Sequence, residues 1–125
     1  MTKHYIDIVK KWAVILAYDV EVTDLDELVS WLEALGCGKK DVEKACRIAL
    51  GVNSGFTYTN SDLRMSLVVI SDASDKSQWW DTLVHEIDHV QSAICDYYDV
   101  PLGSEAAAWT QGYITRQMVT RLLED

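Results

Sequence analysis

The chain has 125 residues, enough for one domain (1–125) around a single core. Hydrophobic residues make up 49% and charged residues 25%, an ordinary balance for a globular protein, and the formal net charge of −9 leaves no surface that neutralises phosphates. Nucleic acid and anionic membranes are therefore excluded as expected partners; a cation or a basic peptide is compatible with this charge.

Residues 1–11 mix charge throughout and lack the apolar run of a secretory signal, and nothing approaches the roughly 20 apolar residues of a membrane span. The three cysteines, Cys37, Cys46 and Cys95, have no C-x-x-C spacing and read as free thiols, so a cytoplasmic location is expected.

Trp12, Val14, Leu16, Tyr18 and Val20 alternate with smaller or polar neighbours in a stretch rich in β-branched and aromatic residues. This predicts a strand over 11–22, although Ile6, Val9, Ala13 and Leu16 also fit a helical stripe. Asp24 and Glu27 resemble a capping box ahead of the apolar stripe Leu25, Leu28, Val29, Leu32 and Leu35, which Gly36 ends. A second short helix fits 41–50, closed by Gly51. After a turn at Asn53-Ser54-Gly55, two strands are expected over 56–59 and 63–71, joined through Asn60-Ser61-Asp62. Ser74-Asp75-Lys76-Ser77 caps a long helix reaching about Tyr98, where Asp99-Val100-Pro101 breaks it. Trp79 and Trp80 adjoin on that helix, so one of them is expected to face outward. Gly103-Ser104 starts a last helix running through Gln117 or beyond. The elements predict an α+β domain, a small antiparallel sheet of about three strands packed against helices.

Within the long helix, His85-Glu86-Ile87-Asp88-His89 forms an H-E-x-x-H pentad. Four residues is about one helical turn, so both imidazoles lie on one face and reach one ion at about 2.0–2.1 Å. Glu86 lies about 100° further round, beside such an ion, where it can accept a proton from a water the metal activates. Leu83, Ile87, Val90 and Ile94 occupy the opposite face and anchor the helix in the core.

A hydrolytic zinc site needs a third protein ligand and an open position. A histidine six residues after the pentad is ruled out, since Ser92 and Cys95 stand where that pattern needs glycine and histidine. A glutamate on the following helix is the other pattern, and Glu105 fits it, early in the last helix and followed by Ala106, Ala107 and Ala108. Asp96 and Asp99 are its competitors, with Asp96 about two turns from His89.

With His85-Glu86-x-x-His89 and Glu105, the chain resembles the gluzincin metallopeptidases. The strand Arg64–Ile70 shortly before the metal helix is similar to that of their minimal forms, the minigluzincins. The stretch from Thr82 through Gln91, with Ser104-Glu105-Ala106-Ala107 and Gly112-Tyr113-Ile114, is also similar to short uncharacterised proteins of gut bacteria and their phages. The resemblance covers about residues 55–117. It implies Zn²⁺ held by His85, His89 and Glu105, Glu86 as general base, and a peptide or protein substrate added as a strand along Met65–Ile70. Many gluzincins carry an aspartate shortly after the third ligand; here Ala108 and Trp109 stand there. Tyr97, Tyr98, Tyr113 and Arg116 are the candidates for stabilising an oxyanion. A zinc- or peptide-binding module of phage or mobile-element origin, without catalysis, is the alternative.

Overall fold

The computed structural model describes residues 1–9 and 11–124. Strands β1 (Thr2–Asp7) and β2 (Ala13–Tyr18) are followed by a short 3₁₀ turn (Val22–Asp24) and helices α1 (Leu25–Ala34) and α2 (Lys39–Ala49). Strands β3 (Gly55–Asn60) and β4 (Met65–Ile70) come next, then helices α3 (Lys76–Tyr97) and α4 (Glu105–Glu124).

The fold is α+β, with a four-stranded sheet in the order β1-β2-β4-β3. β1 pairs antiparallel with β2, and β3 antiparallel with β4, while β2 and β4 are parallel. The sheet thus has one more strand than expected and is mixed. β1 escaped the sequence reading because only His4 and Ile6 of its six residues are buried, too few for a visible alternation.

Helices cover both faces. Val14, Leu16, Val68 and Ile70 pack with Leu83, Ile87, Val90 and Ile94 of α3 and Ile114 and Met118 of α4. On the other face Leu67 and Val69 pack with Leu28 and Leu32 of α1 and Val42, Ala45 and Ala49 of α2. β4 therefore buries both its faces, which is why Met65–Ile70 reads as a continuous apolar run. It is also paired on both sides, so the expectation that β4 offers an open edge to substrate is corrected: the strand at that edge is β3.

Local signals place the helices. Asp75 accepts the Gln78 N–H at 2.8 Å and caps α3 as expected. At its other end the Val100 N–H donates to Cys95 O and the Asp99 N–H to Asp96 O, with Asp99 at φ 56°, a Schellman-type stop just ahead of Pro101. Gly36, at φ 85°, ends α1 in the same way. The capping box sits three residues earlier than expected: Asp24 accepts the Glu21 N–H, whereas Glu27 receives Lys3 Nζ at 2.6 Å. Trp79 packs edge-on against Tyr18, and its neighbour Trp80 is exposed, as the adjacent pair required. No helix among the described residues is long and apolar enough to cross a membrane.

Candidate metal centre

α3 carries its buried stripe against the sheet, so His85 and His89 emerge on the exposed side one turn apart. Their rings lie 4.9 Å apart at 78°. Glu86 stands between this pair and the sheet and is only 4% exposed. Candidate ligand atoms of His85, Glu86 and His89 all lie within 4.8 Å of one another, the cluster of metal-ligating type among the described residues. Two imidazoles one turn apart are a donor pair that suits Zn²⁺, with the Glu86 carboxylate beside them.

The carboxylate of Glu86 is held asymmetrically. Thr57 Oγ1, on β3, donates to Oε1 at 2.8 Å. Oε2 is left 3.9 Å from His85 Nε2, turned toward the imidazoles. Gly55 approaches Glu86 so closely that a Cβ there would fall 2.8 Å from Glu86 Cγ. A glycine and a threonine on one strand thus fix the acid between the pair and the sheet. Neither stood out in the sequence, where Gly55 reads only as part of a turn.

A cleft runs past these groups. On one side of His85 it is walled by Lys44 and Ile48 of α2, Phe56, Thr57 and Thr59 of β3, and His89 and Ala93 of α3. On the other it is walled by Asn53, Ser54, Gln78, Asp81 and Thr82. Gly55, His85 and Glu86 border both halves. Lys44 is the cation of the first half, and Asp81 an anion of the second. β3 lies along it with one edge free of any strand among the described residues. The Ser71 N–H donates to Ser54 O, and by antiparallel alternation Phe56, Tyr58 and Asn60 then bond to β4. Gly55, Thr57 and Thr59 are left with their N–H and C=O groups toward the free edge.

The structure does not bring Glu105 into the histidine group. α4 docks through Ala107, Ile114 and Met118, and Gln91 Nε2 donates to Ala107 O at 3.2 Å. Glu105 lies about 200° round the helix from Ala107, is exposed, and borders a surface groove with Trp109, Gly112, Tyr113 and Arg116. Asp96 and Asp99 border a separate hollow with Pro101 and Leu102. The oxyanion candidates are elsewhere too. Tyr97 packs edge-on and Tyr98 at a tilt against Trp12, and Tyr113 and Arg116 line the α4 groove, whereas Lys44 borders the cleft itself.

Comparison with protein-family models, with curated proteins and with solved structures finds no match to this chain.

Proposed function

We propose that this protein is a zinc-dependent peptidase in which His85 and His89 hold the ion and Glu86 is the general base. The observation that carries this reading is the asymmetric clamp on Glu86: Thr57 occupies Oε1, and Oε2 faces the imidazole pair. Zn²⁺ supplies Lewis-acid polarisation of a carbonyl and lowers the pKa of water toward about 7. Glu86 Oε2 takes up the proton of the attacking water and returns it to the leaving amine. Its partner Thr57 keeps the carboxylate from rotating away during that transfer.

The free edge of β3 is the substrate-binding element in this reading. An extended peptide pairs with the N–H and C=O groups of Gly55, Thr57 and Thr59 and lies across His85 and Glu86. Its side chains meet Asp81 at one end and Lys44 at the other, which favours a basic residue on one side of the scissile bond and an acidic one on the other.

A second reading keeps the metal and the peptide but drops the cleavage, and the position of Glu105 favours it. Two imidazoles without Glu105 give a sparser ligand set than the three protein ligands of hydrolytic zinc sites. One experiment separates the two. The zinc-loaded chain and its Glu86→Gln variant are offered a mixed peptide library, with metal content measured in parallel. Cleavage by the wild type that is lost in Glu86→Gln with zinc retained supports the peptidase. Binding without cleavage by either form supports the module, and cleavage that survives Glu86→Gln removes Glu86 as the base.

A further inference from the structure

α4 carries a second stripe that no other element covers among the described residues. Glu105, Trp109, Gly112 and Arg116 follow one another at spacings of four, three and four, which sets them on one face of the helix. Trp109 is 74% exposed, far more than a tryptophan placed by the core of its own chain. Gly112 lies in the middle of the helix, and a Cβ there would meet nothing within 4 Å. Glycine at such a position destabilises the helix relative to alanine. Nothing inside the chain uses the space it leaves.

We propose that this face joins two copies of the chain in a twofold dimer, α4 against α4. A twofold axis through the midpoint between Thr110 and Gln111 runs the two helices antiparallel. It sets Trp109 of one copy in a layer with Gly112 of the other, and Glu105 of one with Arg116 of the other. Both pairs are symmetric about the same midpoint, so one register satisfies size and charge together. The largest side chain meets the smallest residue, and the single anion of the stripe meets its single cation. Spacings of four and three are those of the seam between two packed helices, and such a seam in antiparallel pairing mixes positions in this manner. A self-complementary patch of this kind is what a twofold interface requires. Tryptophan and arginine are also the residues that dominate interface energetics. The surface carries this dimer independently of any metal chemistry on α3.

Sedimentation velocity and light scattering over a range of concentrations test it, since the chain mass is 14.1 kDa. The mass should double as concentration rises. Trp109→Ala and Arg116→Glu should each weaken association at least tenfold, and Glu105→Arg combined with Arg116→Glu should restore it. Gly112→Leu separates interface from fold: it should raise the melting temperature of the dilute chain while abolishing the dimer. Zinc content should be unchanged in Trp109→Ala and Arg116→Glu. A chain that stays at 14.1 kDa up to millimolar concentration overturns the proposal and leaves the face to a different partner. A dimer that survives Trp109→Ala, or a double charge reversal without rescue, overturns it as well.

Discussion

Gly55 presses against Glu86: a Cβ on the glycine would stand 2.8 Å from Glu86 Cγ and 3.0 Å from Cδ and Oε2. The backbone of Gly55 is not in the left-handed region, so alanine is acceptable to the strand itself. Only the acid must give way. Gly55→Ala is therefore expected to push Glu86 out of line by several tenths of an ångström to an ångström. Displacements of that size cost on the order of 10²-fold in rate. Peptide turnover should fall by about that factor, with zinc stoichiometry and helix content unchanged. A normal rate in a well-folded Gly55→Ala chain would remove Glu86 from the reaction.

Thr57 gives a milder version of the same test. Its hydroxyl donates to Glu86 Oε1 at 2.8 Å. Thr57→Val keeps the shape and removes the donor, so the carboxylate loses its orientation but not its place. We expect kcat to drop at least about tenfold at nearly constant KM, since a hydrogen bond to a charged group contributes about 1.5–3 kcal/mol. Thr57→Ser should recover most of the rate, an outcome that a purely steric role for the threonine would not produce.

How much of this was legible in the sequence depends on how local each signal is. The Asp75 cap, the stripe Leu83, Ile87, Val90 and Ile94, and the stop at Asp99 are all written within a few residues of the element they control, and α3 came out as expected. The histidine pair followed from helix geometry alone. The clamp on Glu86 did not, because Thr57 is 29 residues away in sequence and its role exists only once β3 is laid beside α3. That β4 is interior was hidden for the same reason: an apolar run says that both faces are buried, not which strands flank it. The rotation that turns Glu105 away from the histidine group was not legible, because the docking face of α4 is set by just three buried residues, Ala107, Ile114 and Met118. With so sparse a stripe, sequence periodicity left the rotation of the helix open.

The core offers a test that is independent of function. Trp12 is fully buried, and its Nε1–H donates to Ser66 Oγ at 3.1 Å, the same hydroxyl that meets Thr59 Oγ1 at 2.8 Å. Ser66→Ala strands the indole N–H in a dry interior. Leaving a buried donor unpaired costs about 1–3 kcal/mol. Urea unfolding should show a loss in that range at unchanged slope, and a loss near zero would mean the indole finds another acceptor.

Burial raises the thiol pKa of Cys37, Cys46 and Cys95 above the ordinary value, and Asp41 adds to the effect at Cys37. A raised pKa keeps these groups protonated at neutral pH, and the thiolate is the reactive form. Native protein at pH 7.5 should therefore react with a disulfide reagent much more slowly than the same chain in guanidinium. Raising the pH should speed the native reaction, because deprotonation is what limits it. A rapid stoichiometric reaction at neutral pH would show that one of the three is exposed in solution.

On the proposed reading, Lys44 and Asp81 put opposite charges on the two halves of the cleft and favour opposite side chains on an extended peptide. Lys44 of α2 lines one half of the cleft and Asp81 of α3 the other, and His85 and Glu86 border both. Both are solvent-exposed, so each charge interacts across water and is screened by salt. The preference each confers should be modest, about 0.2–1 kcal/mol, or up to roughly fivefold in kcat/KM. Lys44→Glu should reverse the preference at its own end, favouring a basic over an acidic residue there. The preference at the Asp81 end should not move. Raising the salt concentration should flatten both preferences together while leaving cleavage of a neutral peptide unchanged. If Lys44→Glu instead slows every peptide alike, Lys44 acts on the reacting carbonyl rather than on the side chains that flank it.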